Sequence, residues 1–495
     1  MVNVNTAIFG EIPVFMKYGK AIVLLIFMLQ TQTAIFGQKI TVSREINVRN
    51  NYAYDILPNI EDHIIFYHDR GIEHVFEIYD QNLRFKHEIQ PEFEKDNIIP
   101  TGVMAMDSTF HFFYTFKESD TIVFRAIAFD KNVAIKDSIT YNRKHKKEVS
   151  SNPRFAFSKD KSKVVVFTPH VQFLNIQLFD NKSMSLIYDY NLIVDGINLK
   201  NDFEKIVVAN NGEIFITTQK SSMWSKDGNN TVNLIRILAK DMYSVHHFRA
   251  EEDEIKEMKL DYDNKNNRLV MAGFTTSGDE SKANGYFGFS IQPNDIPEEA
   301  DILINRFSTE FIAEVSGKRN KRSRELDDYV IQDLVIRNDG GVIIFSETVR
   351  EFARRSQMNS PAQFGNNFPM RGFIDYYHED LVLLATYPDG NEHWQKVMFK
   401  KQFSQDDNAV YSSFFIFKTP SRIRLLYNDE IKNSNTVSEY LIDPMGNSER
   451  RSVLSTEYQN LKLRFRDAIQ TGPSSLIIPS EKSSKINMVR IDYNS

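Results

Sequence analysis

Residues 153–190 read PRFAFSKDKSKVVVFTPHVQFLNIQLFDNKSMSLIYDY, and this stretch decides the fold. It holds four short runs, RFAFSKD, KVVVFTP, FLNIQLFD and MSLIYDY, divided by polar turn text. Each run alternates or stays apolar over a few residues, and none continues at helical spacing. Four antiparallel strands in about forty residues make one blade of a β-propeller.

The same grammar recurs in both directions along the chain. Units of this kind lie near 52–90, 98–142, 203–249, 256 onward, 328–404 and 409–458. The final text, LKLRFRDAI, SLIIPS and KINMVRIDY, supplies only three strands. The missing fourth is assigned to ITVSREINV, Ile40 to Val48. An open ring would leave two unpaired strand edges, and completing the last blade with the first strand removes both. The expected fold is therefore an all-β β-propeller of eight four-stranded blades, with seven as the alternative, closed by the N-terminal strand. The 38 Phe and 21 Tyr residues supply the large flat side chains that fill the space between neighbouring blades.

Composition bounds the function. With 495 residues, 41% hydrophobic and 25% charged, the chain has globular composition. Its net charge of −6 lacks the basic footprint of a nucleic-acid binder. Met16 to Gln38 reads MKYGKAIVLLIFMLQTQTAIFGQ: two lysines, a short apolar run and a small-residue end. That order is the order of a secretory signal peptide, so residues 1–37 are expected to be removed, with Met16 as the natural start. No later stretch reaches membrane-spanning length. The chain has no cysteine, so neither a disulfide nor an N-terminal lipid-bearing cysteine is available. A cysteine-free exported protein fits a Gram-negative periplasm or cell surface. Residues 38–495 are then one propeller domain.

Two insertions break the rhythm. Pro293 to Asp328 carries Ile302, Phe307, Phe311, Ile312 and Val315, which suggest a short amphipathic helix or an apolar clip on the ring. The basic run after it, Lys318, Arg319, Lys321, Arg322 and Arg324, reads as a solvated loop, with contact to an acidic partner as the alternative. The second insertion, Arg350 to Gly372, sets Arg350, Arg354, Arg355 and Arg371 around Phe352, Met358, Phe364, Phe368 and Met370. Long irregular loops are usually functional or disordered, and Phe, Met and Arg are the residues that partner interfaces favour. These nine residues are the expected partner-binding site.

Catalytic and metal signatures are weak by comparison. The eleven histidines show no metal-ligand spacing, and His246-His247 would point to opposite faces of a strand. Asp261 to Asn266 imitates a calcium loop, but Lys265 occupies a ligand position and Asn266 replaces the glycine of the sharp turn. Ser225 to Thr231 partly matches the turn of sialidase-like propellers. Asp406-Asp407 and Asp429-Glu430 are paired carboxylates of the kind glycosidases use, though such neighbours more often cap turns. The sequence therefore predicts no catalytic residue, no metal and no cofactor. The alternative is a cell-surface or periplasmic propeller that binds or cleaves glycans.

Asp339-Gly340-Gly341, Ser346-Glu347, Asp380, Pro388-Asp389-Gly390, Trp394, Lys400-Lys401-Gln402, Ser404, Asp406-Asp407, Tyr411-Ser412-Ser413 and Tyr427-Asn428-Asp429 resemble a pattern of exported propeller-like proteins of Bacteroidota. The resemblance covers roughly the last third of the chain. Those proteins carry no assigned activity. Bacteroidota secrete through a type 9 translocon, whose outer-membrane pore is closed by a soluble periplasmic Plug subunit. A cysteine-free, non-lipidated exported protein of this size is similar in kind to such subunits. The resemblance implies a periplasmic location and an outer-membrane or periplasmic protein partner, with the secretion translocon as the candidate.

Overall fold

The computed structural model describes residues 38–145, 153–220, 231–317, 324–354, 373–429, 436–455 and 461–493. The segment expected to be a signal peptide, residues 1–37, lies outside them. Eight antiparallel sheets follow one another along the chain and form a closed eight-bladed β-propeller. The blades span residues 53–89, 99–145, 154–192, 203–249, 254–306, 329–398, 415–455, and 469–493 with the N-terminal strand. In the third blade the strands are Arg154–Phe157, Lys163–Pro169, Leu174–Asp180 and Ser185–Leu192, matching the four runs of the opening text.

The core is divided among the gaps between blades. One hydrophobic cluster fills each of the eight gaps: Ile65, Phe76, Phe112 and Phe129 join the first blade to the second. Phe113, Tyr141, Val166 and Phe179 join the second to the third. Ring pairs such as Phe110 and Phe129, with centroids 5.3 Å apart, fill these gaps with flat surfaces. Each fully buried Phe contributes about 1.5–3 kcal/mol, so the ring is held by many equivalent interfaces.

The closing gap is built from both ends of the chain. Gln38–Val42 pairs antiparallel with Val489–Tyr493, Gln38 opposite Tyr493 and Val42 opposite Val489. Ile46 and Asn47 continue along Ile486 and Lys485. Between these two pairings Arg44 leaves the last blade for the first, where it bonds Glu77 at 3.0 Å and covers the Phe85 ring. At the other end Tyr493 donates from its hydroxyl to Glu439 of the seventh blade, with Arg424 stacked on its ring. Ile46, Ile56, Phe66, Ile477 and Met488 complete the gap.

The first insertion is structured. Ser308 caps a helix over Thr309–Ser316 by accepting from the Phe311 N–H, and Gly317 ends it in the left-handed region. Phe307, Phe311 and Ile312 are buried against the fifth and sixth blades, which makes the helix an apolar clip. Glu299–Asp301 runs parallel to the outer strand of the fourth blade, covering that edge. Of the basic run only Arg324 is among the described residues.

Blade connectivity defines two faces. Each blade is entered at its innermost strand and left at its outermost. Links between blades, and between second and third strands, therefore lie on one face, called upper here. The first-to-second and third-to-fourth turns lie on the lower face.

Candidate functional site

The sixth blade departs from the others in its two middle strands. Val342–Arg354 and Phe373–Thr386 are 13 and 14 residues long. The inner strand Tyr329–Ile336 pairs with the first of them only as far as Thr348. A bulge between Glu347 and Val349 follows, and the ladder then continues from Val349 opposite His378 to Arg354 opposite Phe373. On the other side, Glu392–Met398 pairs with Leu381–Thr386, and Gln402–Gln405 takes over along Asp375–His378. A three-stranded ribbon, ordered 349–354, 373–378 and 402–405, thus rises from the upper face.

Its base is fixed by buried charge. Glu347, His378, Lys400, Gln402 and Ser413 are all buried where the ribbon leaves the blade. The Lys400 ammonium donates to a Glu347 carboxylate oxygen, to the His378 carbonyl at 3.1 Å and to Gln402 Oε1 at 2.9 Å. The second Glu347 oxygen accepts from Ser413 Oγ at 2.8 Å and is paired with His378 Nδ1 at 3.0 Å. Gln402 Oε1 also accepts from the Ser413 N–H, and its amide donates to the Asn428 carbonyl of the seventh blade. Asn428 in turn donates to the Tyr411 and Leu463 carbonyls, reaching the eighth. Burial works to raise the Glu347 carboxyl, yet Lys400 and His378 outweigh it and hold it below its ordinary range. Burial draws the Lys400 ammonium down, with Glu347 opposing. A buried pair this fully hydrogen-bonded specifies geometry more than it adds stability.

This cluster contains Glu347, Lys400, Gln402, Ser413 and Asn428, five of the residues that carry the Bacteroidota-like pattern. Sequence reasoning gave them no role, and the structure places them together under the ribbon. Of the paired aspartates of the same pattern, Asp407 serves a turn, while Asp406 bonds the ribbon and Asp429 an arginine side chain. Asp406 accepts from the Ile374 N–H at 2.9 Å and Asp407 from the Ala409 N–H at 3.0 Å. Asp429 accepts from Arg450, while Glu430 lies outside the described residues.

The expected contact residues divide into two groups. Arg350, Phe352 and Arg354 lie within the ribbon, where the sequence reading expected irregular chain. The reason is the β-rich text FIDYYH at 373–378, which offers them a full partner strand. Arg350 bonds Asp328 at 2.9 Å and pairs with Glu379 at 3.3 Å, so it ties the ribbon to its own ring. Phe352 is 53% exposed, with its ring edge-on to Tyr377, and Ile374 on the return strand is 39% exposed. Arg355, Met358, Phe364, Phe368, Met370 and Arg371 lie outside the described residues, as does most of the sialidase-like turn.

The remaining sequence candidates have structural partners. His246 Nδ1 is 2.8 Å from the Pro297 carbonyl, and His247 Nδ1 is 2.8 Å from Asn233 Oδ1. Asp263 accepts from the Lys265 N–H and binds the Asn266 side chain, making the calcium-like text a strand-connecting turn. Among the described residues no three acidic or histidine side chains converge on a metal-sized site, and no helix is long and apolar enough to cross a membrane.

The inner strands enclose a central channel. Its upper mouth gathers Tyr54, Asp55, Arg464 and Asp467. The surrounding protein, with Asp467 beside it, pushes the Asp55 carboxyl up to about 6.

No protein-family model matches the chain, and no curated protein matches it. Solved structures that resemble it include the Dos1 propeller, at 9% identity and TM-score 0.47, covering 91% of this chain and 94% of that one. Polysaccharide lyase Uly1 aligns at 9% identity and TM-score 0.37, covering 77% of this chain and 89% of its own. Dipeptidyl peptidase 4 of Porphyromonas gingivalis aligns at 9% and TM-score 0.46, covering 88% of this chain and 56% of its own. At such identities the likeness concerns the fold alone.

Proposed function

We propose that this chain is an exported, non-catalytic β-propeller that holds an envelope protein partner on its upper face. In this reading it caps the outer-membrane pore of a type 9 secretion translocon. The observation that carries the reading is the ribbon of the sixth blade: a projecting element with exposed Phe352 and Ile374 at its outer part and a buried ionic cluster at its base. Exposed apolar side chains on a rigid element are what an interface core requires, because little ordering entropy is lost on docking. Affinity capture of a tagged copy from envelope extract, compared with a Phe352→Asp/Ile374→Asp copy, tests it. The native copy is expected to recover a membrane protein and the variant to lose it. Recovery of no membrane protein, or equal recovery by both, defeats the proposal.

One observation favours the second reading, a glycan-binding or glycan-cleaving propeller. Asp55 and Asp467 line the upper channel mouth together with Tyr54 and Arg464, two carboxylates of the kind that glycan chemistry uses. Thermal stabilisation by saccharides that is lost in Asp55→Asn would support that reading over the first.

A further inference from the structure

The lower mouth of the central channel is a second candidate site, remote from the ribbon. A cavity of about 750 Å³ opens there between the inner strands of the eighth, first, second and third blades. That volume is in the range of small-molecule sites. Its wall is aromatic. Phe155 and Phe157 stack with planes 9° apart, and Phe113 lies 5.8 and 5.6 Å from them. Phe157 is 38% exposed and lines the cavity, so its ring is open to a ligand there.

A cation borders this apolar wall. Lys161 occupies the left-handed position of the turn after Phe157, with φ of 60°, and its N–H donates to the Ser158 carbonyl at 2.9 Å. Gly or Asn is the ordinary choice for such a position, because they adopt it with little strain. Lysine there directs a long side chain back toward the channel. Its ammonium donates to the Ala105 carbonyl at 2.7 Å and forms no ion pair among the described residues. Burial draws this amine down, with Asp107 offsetting part of the effect.

The other charges at the mouth are largely engaged. Lys159 bonds Asp261 of the fifth blade at 2.8 Å, past the inner strand of the fourth. Asp160 spends one oxygen on Ser158 and Ser162. Lys182 lines the same cavity and, with Lys161, balances Asp107 and Asp160. An apolar ligand without charge would leave the Lys161 ammonium partly desolvated and unpaired, and a small polar anion would gain nothing from three phenylalanines. A ligand with both features satisfies both.

From this geometry we infer that the lower channel mouth binds a small amphipathic anion, with its acidic head on Lys161 and its apolar body against Phe113, Phe155 and Phe157. Octanoate and octanol are the probes, since they share an apolar tail and differ in the charged head. Calorimetric titration of the full chain is expected to show octanoate binding at least about tenfold tighter than octanol, the scale of one charge-assisted hydrogen bond. Lys161→Asn keeps the turn's left-handed preference and removes the ammonium. It is expected to lose about tenfold in octanoate affinity and to leave octanol unchanged. Phe157→Ser should weaken both probes, and circular dichroism checks that each variant is folded. Equal affinity of the two probes, no octanoate binding by the native chain, or an unaltered octanoate affinity in folded Lys161→Asn would overturn the inference.

Discussion

Glu347 and Lys400 meet in a place with no solvent, 53 positions apart in sequence. Removing one of them strands the other, whereas removing both leaves only a volume to fill. Lys400→Met is therefore expected to cost about 3–5 kcal/mol in denaturant unfolding, and the double variant Glu347→Leu/Lys400→Met distinctly less than the sum of the single changes. A second residue, Glu77, reports on pH. Burial pulls its carboxyl up, but bonds from His68, Tyr79 and Arg44 outweigh that and set it at about 2. A depressed carboxyl stabilises the fold above its unfolded pKa of 4.5, and the contribution is lost as pH falls from there toward 2. Glu77 should account for up to ~3 kcal/mol of the stability lost across that window, and Glu77→Gln should remove that share of the slope, leaving the part carried by other depressed carboxylates such as Asp180. Neither cluster was legible beforehand. In FKKQ nothing distinguishes buried Lys400 from exposed Lys401 until the bulge and the partner strands are known. Turns were easier where glycine marks them, as in Asn-Asp-Gly-Gly, where Asp339 caps Gly341 and Gly340 has φ of 86°. They were harder at Asp80, Asp130 and Asp180, whose turns place Leu83, Val133 and Met184 in the left-handed region instead.

At the scale of elements, the strands were readable because period-two text and turn residues coincide, and the third blade matches its four runs closely. The ribbon was not. The text from Arg350 onward reads as irregular because its partner strand begins only at Phe373, nineteen residues after Arg354, and the ladder between them is visible only once both are aligned. The helix over Thr309–Ser316 was legible from its apolar spacing, but the added strand Glu299–Asp301 was not, since three residues carry no period. The ribbon's outer part is expected to contribute contact surface and little stability. Among the described rings of the ribbon the Phe352 ring touches only Tyr377, so Phe352→Asp/Ile374→Asp should cost no more than about 1.5 kcal/mol of unfolding free energy, well below a core substitution. A larger loss would mean that these side chains pack within the chain, and the ribbon would then lose its standing as a contact element.

For the whole molecule, both the eight-blade ring and its closure followed from counting strands, since a last unit with three strands demands a fourth from elsewhere. The ionic cluster under the ribbon and the channel mouth did not follow, because they depend on which side chains the ring brings together. Closure makes stability global: deleting residues 38–48 bares the edge of Lys485–Tyr493 and removes Ile46 and Val48 from the core. At roughly 1.5–3 kcal/mol for each lost core side chain, the unfolding midpoint of the entire ring should fall, in one transition. A separate low-temperature transition with an unchanged main one would mean that the last blade is independent of the rest. The central claim, that the ribbon is where the partner sits, is tested most directly by photo-crosslinking in cells from a benzoyl-phenylalanine at position 352. Position 445 serves as control, since Met445 is 66% exposed on a lower-face turn. The account predicts a crosslink to an outer-membrane or periplasmic protein from 352 and none from 445. No crosslink from 352, or the same product from both positions, would contradict it.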